Sequence, residues 1–101
     1  MSTPVAGLVD TTSASAGVSV NAIAPNQYGG YIVNPYSAAD QGLATAEVLY
    51  VDQVGPSDTQ ANGTTIALQP GQSYTVIPNT TTPVSVASLS PSHKFTSVQW
   101  V

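Results

Sequence analysis

Short runs in which apolar and polar residues alternate, each ended by a glycine- or proline-containing turn, recur along this chain. Residues 44–54, 64–68 and 73–77 all alternate in this way. A period of two residues places successive side chains on opposite faces of a β-strand. No window has the period of about 3.6 residues that marks an amphipathic helix, and the best helical candidate, residues 37–46, is short. The pattern therefore predicts an all-β fold.

Turn-forming pairs indicate how these runs are connected. Pro70 fixes φ at the second position of a turn, and Gly71 accepts the positive φ of the third position, which is the type II signature. We therefore expect two strands joined by a tight connection at this point. The pair Gly29-Gly30 indicates either a bulge or a close approach of two backbones.

The number and spacing of the runs favour one architecture. Several short strands separated by turns are typical of a small antiparallel β-sandwich or barrel, and the sequence predicts six to seven strands. Residues 44–54 carry apolar side chains on both faces, and residues 94–101 close the domain. We expect both segments to be interior strands of a sheet.

The first part of the chain differs from the rest. Residues 1–24 contain no aromatic residue and one charged residue, so they can hardly build a core of their own. They predict an extended N-terminal arm, followed by a β-sandwich domain of residues 25–101. Because residues 18–22 alternate, the end of the arm is a candidate for a first or edge strand.

Charge is scarce, and this excludes two classes of partner. Only 6% of the residues are charged, against about 25% in ordinary soluble domains. Lys94 is the single basic residue, so the chain cannot neutralise the phosphates of a nucleic acid or an anionic membrane surface. A surface with few charges is desolvated at little cost, which predicts a chain that packs against other proteins. The alternative is an extracellular domain with a neutral surface.

Membrane insertion and signal-dependent export are not expected either. No stretch of the sequence approaches the roughly 20 apolar residues of a membrane helix. The first residues lack a positively charged segment followed by an apolar one, so a cleaved signal peptide is not predicted.

Few residues could support catalysis or metal binding. No cysteine is present, which excludes disulfides and thiolate sites, and no Gly-x-Ser-x-Gly nucleophile motif occurs. Asp40, Asp52 and Asp58 lack the spacing of a calcium loop, and we expect them to be solvated carboxylates. His93 lies at a turn–strand junction and is expected to be a surface or capping residue. The sequence therefore predicts a non-enzymatic protein with no catalytic residue, no cofactor and no bound metal.

Apolar and aromatic side chains outside the strand cores are the candidates for partner binding. The five tyrosines and Trp100 could form a platform on which a sugar stacks. Tyr28 and Tyr36 flank a loop and are the best placed of these for exposure. The candidate partner-binding residues are Val5, Leu8, Val18, Val20, Tyr28 and Tyr36.

Within residues 25–101 the chain resembles small proteins encoded in the structural gene clusters of tailed phages and prophages. The resemblance is carried by the segments GGYIVNP (29–35), AEVLYVD (46–52), NGTT (62–65), LQPGQS (68–73), VSV (84–86) and HKFTSVQW (93–100). It implies a virion structural protein. The best-fitting type is a capsid decoration (cement) protein, which clamps shell subunits from outside.

What the resemblance implies about partners follows from that role. A decoration protein would be made in the host cytoplasm and would lie on the exterior of the capsid. It would bind the major capsid protein or another virion protein and form a homo-oligomer, with the arm as a clasp over neighbouring subunits. The alternative is a tail, neck or fibre component that binds a glycan or a protein on the host surface.

Overall fold

A computed structural model of the chain describes residues 2–9, 19–25, 27–57, 59, 60, 63–78 and 81–100. The description of residues 2–9 covers their backbone. The strands, in chain order, are β1 (Ser2–Val9), β2 (Val20–Ile23), β3 (Gly30–Val33), β4 (Leu49–Asp52), β5 (Ile66–Leu68), β6 (Ser73–Val76), β7 (Val84–Ala87) and β8 (His93–Trp100). One helical turn, α1 (Ala38–Gln41), lies between β3 and β4.

The strands form two antiparallel sheets, as the alternation predicts. Strands β8, β3 and β6 form one sheet in that order, and β2, β7, β4 and β5 form the other. These seven strands confirm the predicted all-β sandwich. The arm contributes an eighth extended segment, because β1 pairs with β8 and completes the first sheet to four strands.

The two sheets face each other across one apolar core. Alternate residues of strands from both sheets point inward, and nine of them are buried together: Ile23, Ile32, Leu49, Val51, Leu68, Val76, Val84, Val86 and Phe95. Because each sheet has one apolar face, neither would be stable without the other.

The outer face of β7 is covered as well, so all four of its residues are buried. The segment after β4 folds over this face. There the Ser85 hydroxyl donates to the Gly55 carbonyl at 2.9 Å, and the Ser57 N–H donates to the Ser85 hydroxyl oxygen at 3.0 Å.

The predicted turn at Pro70-Gly71 is confirmed. Gly71 has a φ of 89°, and the Gln72 N–H donates to the Gln69 carbonyl at 3.0 Å. The two strands beside the turn do not pair with each other, because the turn carries the chain from the second sheet (β5) to the first (β6). Backbone bonds to Asn34 hold it against the end of β3.

Both predicted interior strands occupy interior positions. β8 lies between β1 and β3, and β4 lies between β7 and β5. β4 is shorter than the predicted span of 44–54, because the backbone around Glu47 bonds to side chains and not to a strand. The Glu47 N–H donates to Gln41 Oε1 at 2.8 Å, and the Glu47 carbonyl accepts from Asn34 Nδ2 at 2.9 Å.

The glycine pair marks a close backbone approach, as predicted. A Cβ placed on Gly30 would lie 2.0 Å from the carbonyl oxygen of Val98 on β8. No side chain fits in that space, so the residue at this point of β3 must be glycine.

The end of the arm forms an edge strand, as the alternation of residues 18–22 predicts. β2 pairs with β7 through a register irregularity between Asn21 and Ile23, and Ile23 is buried in the core. By its hydrogen bonds β2 belongs to the second sheet, while the functional boundary between arm and domain at residues 24 and 25 stays a prediction.

Candidate partner-binding surface

The sandwich has two ends that differ in chemistry. The helix end comprises α1, His93 and the segments 34–37, 42–48 and 88–92. The loop end comprises Tyr28, Trp100 and the segments 53–57, 77–78 and 81–83. The interior of the helix end is closed by buried polar bonds, and the loop end exposes the larger number of big apolar side chains.

At the helix end, α1 is short but capped at both termini. Ser37 accepts a hydrogen bond from the Asp40 N–H through its hydroxyl oxygen at 3.1 Å, and Gly42 ends the turn with a φ of 72°. The capped turn places Gln41 inside the protein, where it is fully buried. This single turn lies in the segment that the sequence analysis gave as a short helical candidate.

Asn34 is the centre of the buried network at the helix end. Its amide nitrogen donates to the carbonyls of Glu47 at 2.9 Å and Leu68 at 3.0 Å. Its amide oxygen accepts from Gln41 Nε2 at 3.1 Å and lies 2.8 Å from His93 Nε2. All four hydrogen-bonding positions of the Asn34 side chain are therefore used, which joins β3, α1, the segment before β4 and β8.

The expectation that His93 is a surface or capping residue is wrong, because its side chain is fully buried. An amide oxygen only accepts, so the His93 ring must carry its proton on Nε2 to bond Asn34. Burial lowers the pKa of His93, and the negative charge of Glu47 opposes that shift in part. His93 is thus held neutral as a structural donor.

The carboxylate of Glu47 completes the helix end. Its Oε2 accepts from the Ser90 hydroxyl at 2.5 Å, and the Ser88 hydroxyl donates to the Ser90 carbonyl at 2.7 Å. Among the described residues, Glu47 Oε1 and His93 Nδ1 are the buried side-chain atoms without a partner. The interior of the helix end is therefore a packed polar structure, and Tyr36 and Leu89 are exposed on its surface.

The expectation that Asp52 is a solvated carboxylate is also wrong. Asp52 is buried, and its Oδ1 accepts from the N–H groups of Val54 at 2.7 Å and Gly55 at 2.9 Å. Its Oδ2 accepts from the hydroxyls of Thr64 at 2.8 Å and Thr65 at 3.0 Å. Burial alone would raise the pKa of Asp52, but these four hydrogen bonds outweigh it and the pKa is lowered. Asp52 thus anchors the segment that follows β4.

Gln53 fixes the loop end because its side-chain amide bonds to the backbone of Ile77 as a neighbouring strand would. Its side-chain amide donates to the Ile77 carbonyl at 3.0 Å and accepts from the Ile77 N–H at 3.1 Å. The Tyr74 hydroxyl donates to the same amide oxygen, and the Gln53 carbonyl accepts from the Thr82 hydroxyl at 2.8 Å. The backbone N–H groups of Val54 and Ile77 are thus hydrogen-bonded within the protein, and the side chains of these two residues point outward.

Four large apolar side chains are exposed at this loop end. Val54 and Ile77 are each 65% exposed, Tyr28 is 55% exposed and Trp100 is 38% exposed. The Trp100 N–H donates to the Gly29 carbonyl at 3.0 Å, which holds the end of β8 beside Tyr28. Trp100 also meets Tyr31 with ring centroids 5.9 Å apart and planes inclined by 56°.

Two grooves meet at Val54 and Thr82. The first, of about 510 Å³, is lined by Ser19, Asn21, Val54, Gly55, Pro56, Thr82, Pro83 and Ser85. The second, of about 360 Å³, is lined by Gln53, Val54, Tyr74, Ile77, Pro78, Thr81 and Thr82. None of these described lining residues is charged. Little bound water therefore has to be removed from the protein when a partner enters the grooves.

The predicted partner-binding residues fall into different parts of the fold. Tyr28 is exposed at the loop end, and Tyr36 is exposed at the helix end, over Gly71. Val20 is half-buried and packs against the core. In β1, Val5 and Leu8 lie opposite Ser97 and Lys94 of β8, and Val18 lies outside the described residues. Their role in binding stays a prediction.

Sequence reasoning missed Val54 and Ile77 as surface residues. Each lies within two residues of the end of a strand and stands beside a turn-forming residue, Gly55 in one case and Pro78 in the other. An aliphatic residue in that position is the signal that could have found them, because the alternation of a strand no longer fixes its direction there.

The described part of the chain contains no group of three or more histidine or acidic side chains that could hold a metal ion. It also contains no helix with the length and apolar character needed to cross a membrane. Comparisons with protein-family models, curated proteins and solved structures find no match to this chain. The class that the fold defines is a small antiparallel β-sandwich with an added N-terminal strand.

Proposed function

We propose that this chain is a virion structural protein that decorates the capsid of a tailed phage through protein–protein contacts. The observation that carries the proposal is the loop end, which exposes four large apolar side chains, two of which, Val54 and Ile77, line grooves whose described lining residues are uncharged. The sequence resemblance of residues 25–101 supplies the class of partner, which is the major capsid protein or another virion protein. No catalytic step, cofactor or nucleic acid is involved.

The loop end is suited to such contacts for a physical reason. Apolar side chains that are already exposed gain about 25 cal/mol for each Å² that a partner covers. Their backbone is fixed by Asp52 and Gln53, so little order has to be gained on binding. Many copies on one symmetric shell, joined to one another as a homo-oligomer, add avidity to a modest individual contact.

A second role is supported by the aromatic side chains. Tyr28 and Trp100 are exposed at the same end, and Trp100 is held against Tyr31. Aromatic faces that are partly exposed and fixed in orientation can stack on sugar rings. A tail, neck or fibre component that binds a host-surface glycan would use this cluster in place of Val54 and Ile77.

Copy number tests the proposal and separates the two roles. Particles purified on a density gradient are analysed for the amount of this chain relative to the major shell protein. A ratio within a few-fold of one to one is expected for a decoration protein. A handful of copies per particle supports the tail or fibre role, and absence from the particle refutes both.

A binding screen completes the test. The isolated protein is applied to a panel of bacterial surface glycans and, separately, to particles that lack it. Decoration predicts saturable binding to particles and no glycan binding. Glycan binding that is lost in Trp100→Ala, but kept in Val54→Thr, would overturn decoration in favour of the fibre role.

A further inference from the structure

β1 is attached to the rest of the protein chiefly through one neighbour. Its eight residues pair with β8 without a break in register, from Ser2 opposite Trp100 to Val9 opposite His93. On the other side β1 is the edge of the sheet. In the described backbone, the main attachment of β1 is therefore the ladder with β8, and the β8 strand of another copy could provide the same ladder.

The chain between β1 and β2 is longer than a crossing between the sheets requires. Four residues, 69–72, carry the chain from one sheet to the other between β5 and β6. Ten residues, 10–19, separate β1 from β2, which also belong to different sheets. An extended chain covers roughly 33 Å in ten residues, whereas packed sheets are about 10 Å apart. The connection thus has enough length for β1 to reach a neighbouring molecule.

We propose that two copies of this chain exchange their β1 strands, so that β1 of each copy completes the sheet of the other in the same register. Exchange replaces every backbone hydrogen bond by an identical one, so it needs no new surface and costs little. The exchange is reciprocal and therefore gives a closed two-fold dimer.

The chemistry of the two strands supports this pairing. β1 contains no charged residue, and Lys94 is the single cation on β8. Without β1, β8 would present a long edge with one charge, which is the kind of edge that proteins keep covered. Pro4 has no N–H to offer a further strand, which disfavours growth of the sheet beyond β1. The inference goes beyond the decoration role and does not depend on it.

Engineered cysteines test the exchange directly, because the natural chain has none. Ala6 and Thr96 lie directly opposite each other in the ladder, at a separation that a disulfide can span. Two single variants, Ala6→Cys and Thr96→Cys, are unfolded together, refolded as an equal mixture and oxidised. Exchange predicts a reducible covalent dimer that contains one copy of each variant.

A matched control measures chance collisions. Thr75 is exposed on β6, at the opposite edge of the same sheet, so Thr75→Cys mixed with Ala6→Cys should give severalfold less mixed dimer. Equal yields in the two mixtures would overturn the proposal. So would a double variant, Ala6→Cys with Thr96→Cys, that closes its disulfide within single chains alone, or a wild-type protein that sediments as a monomer at high concentration.

Discussion

The two ends of the sandwich satisfy the backbone hydrogen bonds of their irregular segments in different ways. Each must satisfy the backbone of irregular segments that leave a sheet. At the helix end, Asn34, Gln41 and His93 are buried and bond to one another and to carbonyls. At the loop end, the side chains of Asp52 and Gln53 accept hydrogen bonds from the N–H groups of Val54 and Ile77. The side chains of Val54 and Ile77 point outward.

The difference shows how a chain with few charges can fold stably and still expose apolar surface for binding. Buried polar groups specify one arrangement, because each unpaired group costs about 1–3 kcal/mol. Exposed apolar groups contribute almost nothing to folding and remain available for a partner. The helix end should therefore be sensitive to mutation in the isolated protein, and the loop end should be sensitive in the assembled particle.

The largest effect is expected at the centre of the helix-end network. Asn34→Ala removes the partners of two carbonyls and of the His93 ring, so the free energy of unfolding should fall by about 3 to 4 kcal/mol. Urea denaturation measures it. The matched control is Asn21→Ala, since Asn21 is exposed on an edge strand, and this change should cost less than about 0.5 kcal/mol. Equal losses of unfolding free energy in the two variants would contradict the role of Asn34 as the centre of the network.

A slightly smaller effect is expected where β3 meets β8 near the loop end. Gly30→Ala places a methyl group 2.0 Å from the Val98 carbonyl oxygen, so the strands must separate, at a cost of about 2 to 3 kcal/mol. Gly55→Ala is the control, because a Cβ there meets no atom within 4 Å. If both variants melt at the wild-type temperature, the close approach of the two strands is not present in solution.

Mild acid should weaken the helix end selectively. Since burial holds the folded-state pKa of His93 below its ordinary value of 6.5, the unfolded chain binds a proton more readily than the folded chain below that pH. The contribution of His93 to stability is then complete above pH 6.5 and is lost as the pH falls towards the folded-state pKa.

Urea midpoints measured from about pH 7.5 down to about pH 5 test this, since each unit of pKa difference corresponds to about 1.4 kcal/mol. His93→Gln, which can still donate to Asn34 but does not titrate, should show a flatter profile. A wild-type profile as flat as that of the variant would show that His93 takes up its proton as readily in the folded protein as in the unfolded chain.

The smallest effect on folding, and the largest on attachment, is expected for the exposed aliphatic residues of the loop end. Val54→Thr combined with Ile77→Thr keeps β-branched side chains at both positions, shortens the second by one methyl group, and should change the free energy of unfolding by less than about 0.5 kcal/mol because both residues are exposed. Co-sedimentation with particles lacking this chain should nevertheless drop. Leu89→Thr, at the helix end and 62% exposed, should attach normally. Attachment of the double variant at the wild-type level would exclude the loop end as the binding surface.

The sequence contained enough information to predict the seven strands of the sandwich and one turn, but not the strand β1. Alternation identified β4 as an interior strand, and the pair Pro70-Gly71 predicted a turn that the structure contains. Such features depend on neighbours a few residues apart, whose directions follow from the geometry of an extended chain. The glycine pair indicated either a bulge or a close backbone approach, and the structure shows the close approach at Gly30.

What the tertiary structure decided involves residues far apart in the chain. A turn reverses direction but does not select a sheet, and the structure places β5 and β6 in different sheets. His93 resembled a surface residue beside Lys94 until Asn34, 59 positions away, supplied its partner. The exposed loop end likewise exists because Gln53 reaches Ile77 across the sandwich. Local periodicity determines which way a side chain points, whereas its burial depends on which distant segment the fold brings against it.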